Sequence, residues 1–201
     1  MPNLLVDVPV QPDRLEPPRK RWTRAECLAL QQSGLLHQHH LELVEGELID
    51  KLGKKRTHIN ALTLIQAWFV EVFGNRFVNA EAPIDVADHD NPVNEPEPDL
   101  IVLNRDLANF RSGNPGPQDL HLVLEVADTS LAFDLTTKAN VYARAGIIEY
   151  WVLDVQSRRL IVHRDPAFGK YSTVMAYGEH ESLAPVSAPD ATFNIADAFR
   201  F

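Results

Sequence analysis

Apolar residues along this chain recur with two different periods, and the change from one to the other lays out its elements. Between residues 57 and 73, Ile59, Leu62, Ile65, Phe69 and Val72 or Phe73 stand three or four positions apart. That spacing gathers them on one face of a helix, which Gly74-Asn75 would close. A shorter helix is predicted from Thr23 through Leu30, ending near Ser33-Gly34. Thr23 and Glu26 have capping-box spacing, so the threonine can hold a first-turn amide while the glutamate returns to the cap amide. A third helix fits residues 135–144, with Asp134 as its N-cap and Ala145-Gly146 as its stop. Elsewhere the pattern is strand-like. Residues 41–49 carry apolar runs on both sides of Glu45-Gly46, a hairpin whose turn needs the positive φ that glycine supplies. Further strands are predicted at 77–86, 100–103, 120–126, 147–155, 160–164 and 171–176, with a turn at Gln156-Ser157 and a short closing segment near 195–199. Leu122-Val123-Leu124 is apolar on consecutive positions, as in a strand buried on both faces. There is no internal repeat. The expected fold is α/β, a mixed central β-sheet flanked by helices.

Residues 1–20 hold Pro2, Pro9, Pro12, Pro17 and Pro18 and show no sustained period, so they read as a flexible N-terminal tail before a single domain over residues 21–201. Hydrophobic residues at 45% against 23% charged are enough to bury one core of this size. No run approaches the roughly 18 apolar residues of a membrane span. The acidic, short start of the chain does not have the form of a secretory signal. Cys27 is the only cysteine, which excludes an internal disulfide framework and favours a reducing, cytoplasmic location.

The formal net charge of −9 speaks against a nucleic-acid binder that works by bulk positive charge. Its distribution changes that picture. Seven acids fall between Glu81 and Asp99 with no lysine or arginine among them. Most of the seven read as a solvated acidic loop. Asp99 differs, because Pro98 cannot donate to a sheet ladder and the strand is expected to start at Asp99, placing its carboxylate at the strand mouth. Glu125 interrupts the apolar run Leu122-Val123-Leu124-Glu125-Val126. A buried carboxylate there needs an arginine partner, a proton, amide donors or a metal. Two acids at the ends of neighbouring buried strands would form a hard-oxygen site suited to Mg2+ or Mn2+. Asp134, Lys138 and Tyr142 stand four apart on one helix face, a pattern that a solvated Asp–Lys pair also explains. Positive charge is local: Arg19-Lys20-Arg21 with Arg24 form one cluster, and Lys51, Lys54, Lys55 and Arg56 another, just before His58. The second is the better candidate for a nucleic-acid contact because it borders the proposed site, although a solubilising loop between hairpin and helix also explains it, and neither is interleaved with aromatic residues for stacking.

At these residues the chain resembles the Uma2-type endonuclease family (DUF820) of the PD-(D/E)XK restriction-endonuclease-like superfamily, from about Trp22 to about Val162. The resemblance is carried by Glu42-Leu43-Val44-Glu45-Gly46-Glu47-Leu48, by His58, by Glu97-Pro98-Asp99-Leu100 and by Glu125-Val126-Ala127-Asp128-Thr129-Ser130. Asp134, Lys138, Tyr142, Ala143-Arg144-Ala145-Gly146-Ile147 and Glu149-Tyr150-Trp151 complete the ordered set. It implies that Asp99 and Glu125 ligate a metal, Mg2+ or Mn2+, for hydrolysis of phosphodiester bonds in nucleic acid, with DNA the expected substrate. Ala127 stands where the superfamily has its lysine, and the resemblance implies Lys138 as the substitute. Glu42 and His58 match polar positions near the site. Glu42 is preferred to Glu45, whose place beside Gly46 is explained by the turn. His58 reads equally as a proton shuttle or phosphate contact and as a local cap or core polar group. The resemblance also implies a homodimer, for which the apolar strand around Trp151 is a candidate edge. The missing lysine at Ala127 leaves open a catalytically inactive nuclease-fold module that binds or regulates, and the acidic pocket leaves open a small-molecule metallohydrolase.

Overall fold

Alternation along the strands sorts the apolar side chains onto the two faces of one sheet. The computed structural model describes residues 19–36, 39–51 and 53–201, so the tail expected over 1–20 lies outside the described residues as far as residue 18. In chain order, helix α1 (Arg24–Gln32) precedes a hairpin of β1 (Leu41–Val44) and β2 (Glu47–Asp50). Helix α2 (Arg56–Phe73) leads to β3 (Val78–Ala80), β4 (Leu100–Leu103) and β5 (Leu120–Ala127). The chain then crosses over through α3 (Leu131–Phe133), a π-helical segment (Asp134–Lys138) and α4 (Ala139–Ala145). It returns in β6 (Glu149–Asp154), β7 (Arg159–Ala167) and β8 (Lys170–Gly178), and closes with β9 (Ser182–Leu183), β10 (Phe193–Asn194) and a 3-10 turn (Ile195–Phe199). The main sheet has the order β3-β4-β5-β6-β7-β8. Only β5 and β6 run parallel, and the helical crossover between them is what a parallel pair requires.

On one face Leu100, Val102, Leu122, Leu124 and Trp151 pack against Ala61, Leu62, Ile65 and Phe69 of α2. On the other, Ile101, Val123, Ala127, Tyr150 and Val152 pack against Val141 and Tyr142 of α4. The mixed α/β sheet flanked by helices is therefore as expected. The stripe on α2 is rotated slightly from the predicted one: Ile59 is 39% exposed, while His58 and Ala61 are buried. His58 lies four residues before Leu62 and seven before Ile65, which carries it on the buried face. The capping box forms, with Thr23 Oγ1 accepting from the Glu26 amide and Glu26 returning to the Thr23 amide.

Several local expectations are corrected. The strand predicted over 77–86 ends at Ala80 because Glu81 takes φ 53° and Pro83 follows, so the chain leaves the ladder. Ile84 and Val86 are nonetheless buried against the second face. The regular strand starts at Leu100, one residue after Asp99. The third helix starts at Leu131, so Asp134 is not its cap but lies inside it, buried at the start of the π-helical segment. Nor is the Trp151 strand an edge. β6 lies between β5 and β7 with Trp151 fully buried, and the edges of the sheet are β3 and β8. At the hairpin, Glu45 (φ 53°) and Gly46 (φ 76°) both adopt positive φ, the requirement of a tight two-residue turn. A Cβ at Gly46 would come within 2.7 Å of Arg21 Cβ.

Candidate active site

The register of three adjacent strands lines up three carboxylates at one end of the sheet. Ala80 faces Leu100 across β3 and β4, and Leu100 faces Leu124 across β4 and β5. One residue beyond those pairs stand Glu81, Asp99 and Glu125. The backbone joins them: the Glu81 amide donates to Asp99 O at 3.3 Å. The Asp99 amide donates to Glu125 Oε2 at 3.4 Å, and the Val126 amide to Asp99 Oδ2 at 2.8 Å. Glu125 shares the parity of Val123 and Ala127, so its side chain belongs to the face covered by α4. There Lys138 Nζ lies 2.9 Å from Glu125 Oε1 and 2.9 Å from Glu42 Oε1. Tyr142 Oη donates to Glu125 Oε1 at 3.0 Å.

Each remaining group is delivered by an identifiable device. The β1–β2 hairpin docks on the loop before β4 through a bridge between Leu43 and Glu95. That docking buries Glu42, whose Oε2 accepts from the Glu97 amide at 3.0 Å. The π-helical segment buries the residues at both of its ends, Asp134 and Lys138; such wide turns inside helices often mark functional sites. His58, in the first turn of α2, brings Nε2 to 3.4 Å from Asp99 Oδ1, an ion-pair distance without hydrogen-bond geometry. Lys54 Nζ donates to Asp99 Oδ1 at 2.7 Å and also contacts Glu81. Glu42, Lys54, His58, Asp99, Glu125, Asp134 and Lys138 all line one cavity of about 370 Å³. The structure thus brings together all five residues singled out from the sequence: Asp99, Glu125, Lys138, Glu42 and His58. Glu45 is elsewhere, in the hairpin turn, bonded to Arg21 and Arg144.

Four buried or nearly buried carboxylates in one cavity strain its electrostatics. Burial pushes Glu125 up to about 8, opposed by Lys138 and reinforced by Asp99, Asp134 and Glu42. Burial likewise pushes Asp134 up to about 6, against the pull of Lys138 and Ser130. Burial would also raise Asp99, but His58 and Lys54 outweigh it and hold that carboxyl well below the usual range. Lys138 is held protonated: burial works against its charge, and Glu125, Glu42 and Asp134 overcome that cost. Without a further cation, Asp99 is therefore the more readily ionised member of the pair.

The acidic segment is not the solvated loop its composition suggests. Six of its seven acids form ion pairs: Glu81 and Asp99 with Lys54, Asp85 and Glu95 with Arg24, Asp90 with Arg144, and Glu97 with Lys51. Arg24, assigned from the sequence to a basic cluster, is an anchor instead, bonded to Asn94 O, Asp85 and Asn91. Lys51, Lys54 and Lys55 of the second cluster do line the cavity. Sequence reasoning placed Lys54 in a basic cluster bordering the site and read Asp134 as a helix cap outside it. The signals were there, in the position of Lys54 four residues before His58 and in the four-residue spacing of Asp134, Lys138 and Tyr142.

A six-stranded mixed sheet with a carboxylate pair across β4 and β5 defines an α/β protein of the restriction-endonuclease-like fold. The family model described as "Uma2: Putative restriction endonuclease" matches residues 25–196, and the chain belongs to that family. The solved structures similar to it include the crystal structure of "a putative nuclease belonging to DUF820" from Anabaena variabilis. That likeness has a TM-score of 0.62 at 16% identity and covers 81% of this chain and 90% of the other. No curated protein matches the sequence.

Proposed function

We propose that this chain is a divalent-metal-dependent endonuclease that hydrolyses phosphodiester bonds of nucleic acid, with DNA as substrate. The observation that carries the reading is the pairing of Asp99 and Glu125 across β4 and β5, at a cavity that also holds Lys138, Lys54 and His58. The charge balance of the cavity fits a divalent cation. Glu42, Asp50, Asp99, Glu125, Asp128 and Asp134 offer six negative charges when ionised, against the four ammonium groups of Lys51, Lys54, Lys55 and Lys138. A hard cation with two positive charges would close the difference and draw Glu125 into its ionised form. Among the described residues no group of three or more His, Cys, Asp or Glu side chains is placed to hold a metal ion, so protein ligation would rest on the two carboxylates. Two carboxylates plus retained water is the coordination Mg2+ favours. When bound, the metal would supply Lewis acidity and charge neutralisation at the phosphoryl group.

The residues of the chain divide the other tasks. Asp99 and Glu125 would hold the ion. Tyr142 and Lys138 fix the Glu125 carboxylate by bonding one oxygen, Oε1, and leave Oε2 toward Asp99. Two of the three Lys138 donors go to Glu125 and Glu42, leaving one for water or a phosphoryl oxygen in the cavity. Lys138 thus stands in for the lysine absent at Ala127, whose position is fully buried in the core. Glu42 acts through Lys138 as a positioning residue. His58 Nε2, 3.4 Å from Asp99 Oδ1, is placed to accept or deliver a proton beside that carboxylate. The test is cleavage of plasmid and linear duplex DNA in Mg2+ or Mn2+ by wild type, Asp99→Asn and Glu125→Gln. Each variant should lose cleavage while keeping the wild-type circular dichroism spectrum. Wild-type cleavage rates in either variant would overturn the assignment.

A further inference from the structure

Lys54 reaches the Asp99 carboxylate from the rim of the cavity. Its side chain is 23% exposed, against 4% for Lys138, and it lies between β2 and α2, outside both. It bonds Asp99 Oδ1 at 2.7 Å. The other carboxylate oxygen, Oδ2, is already taken by the Val126 amide at 2.8 Å. Oδ1 is the oxygen of Asp99 that carries no backbone bond and faces the rim, and Lys54 occupies it. A divalent ion on Oδ1 would sit within a few ångströms of the Lys54 ammonium, and two cations in direct contact with one oxygen repel strongly where burial limits screening. One of them must leave. The structure also supplies the place to go, because Lys54 already contacts Glu81, whose side chain is 47% exposed at the next strand end.

We propose that Lys54 is an exchangeable counter-ion and a substrate-positioning residue: it occupies the cation position on Asp99 until a divalent ion displaces it, and then, retained by Glu81, it contacts the phosphate backbone at the mouth of the cavity. This rests on the metal-dependent reading above and assigns Lys54 a task that the carboxylate pair and Lys138 do not perform. A flexible four-carbon stem ending in a point charge suits the exchange. Metal binding and readiness for phosphate thereby become one event, because the ammonium freed from Asp99 is the one that can pair with a phosphate.

The experiment is Mn2+ binding, followed by electron paramagnetic resonance of the free ion, on wild type, Lys54→Met, Lys54→Arg and Asp99→Asn. A second measurement takes the affinity of each chain for a short DNA duplex in Ca2+. Removing a charged hydrogen-bond competitor should tighten Mn2+ binding in Lys54→Met by about tenfold. The same variant should bind duplex more weakly, with a shallower salt dependence. Lys54→Arg, which keeps the charge, should stay close to wild type in both and shows that the site tolerates substitution. Unchanged or weaker Mn2+ binding in Lys54→Met, with Asp99→Asn losing it, overturns the role of Lys54 and leaves the metal site standing. Absence of Mn2+ binding in every chain overturns both.

Discussion

Replacing Asp134 by asparagine should stabilise the protein, and by an amount set by pH. Asp134 is 2% exposed, its Oδ2 accepts from Ser130 Oγ at 2.5 Å, and it shares its cavity with Asp99 and Glu42. Burial raises its carboxyl from 3.8 to about 6, the opposing pull of Lys138 and Ser130 already included. The native state therefore holds the Asp134 proton more tightly than the unfolded chain does. Between pH 3.8 and about 6 the native state binds more protons than the unfolded one, so stability falls as pH rises. Below that window the penalty is absent, and above it the penalty is complete. Integrated over the window, it amounts to about 3 kcal/mol. Asparagine has the same shape, keeps an oxygen for Ser130 and has no charge to bury. Urea unfolding of wild type and Asp134→Asn in chelator should thus show nearly equal stabilities near pH 4. At pH 7.5 the variant should lead by about 3 kcal/mol with an unchanged m-value, or by roughly 5–10 °C in Tm. Glu125 extends the trend, because Asp134 is one of the charges that push it up and its removal eases the Glu125 penalty toward pH 8. A lead that does not vary with pH, or a variant less stable at pH 7.5, would refute the electrostatic reasoning.

Other outcomes follow from the same geometry. Lys138→Met leaves Glu42 and Glu125 without their shared cation and should cost about 3–5 kcal/mol at neutral pH; combining it with Glu125→Gln should recover part of the loss, as a double-mutant cycle in urea would show. Phe69→Ala opens a void between α2 and Trp151, whose rings lie 5.5 Å apart, and should cost about 3–5 kcal/mol by urea unfolding. Gly46→Ala combines φ 76° with a Cβ 2.7 Å from Arg21 Cβ and should lower stability by about 1–3 kcal/mol, measured as a fall in Tm. Arg24→Ala removes the bonds to Asp85 and Asn94 and should speed proteolysis within residues 24–36 without moving the urea midpoint of the main sheet.

The elements that were legible in the sequence are those specified by local chemistry. The capping box at Thr23 and Glu26, the turn at Glu45-Gly46 and the helical period of α2 need only a few neighbouring residues, and all three form, with the buried stripe of α2 shifted from Ile59 to His58 and Ala61. The misreadings occur where distant chain decides. Strand 77–86 looked continuous because Ile84 and Val86 are apolar, yet they are buried beneath the sheet and not within its ladder. Asp134 looked like a cap because helix onset was judged by propensity, whereas packing starts the helix at Leu131 and draws the acid inward. Trp151 looked suited to an edge, but β7 and β8 add beyond it.

By itself the sequence determined which residue types were available to the site: two acids at strand ends, a histidine in the first turn of a helix, a lysine one turn into another helix, and the ordered blocks that mark the family. The tertiary structure alone decided what they are to one another. Register across β3, β4 and β5 sets Glu81, Asp99 and Glu125 side by side, since pairing brings together residues that lie 18 to 44 positions apart along the chain. The π-helical segment turns a lysine that reads as surface into a buried partner of Glu42 and Glu125. Three lysines of the loop basic cluster line the cavity, and Lys54 bonds Asp99 Oδ1. Charge on a sequence is a sum, but in a folded cavity it becomes a set of distances at low dielectric, and those distances determine which groups ionise and which cation they hold.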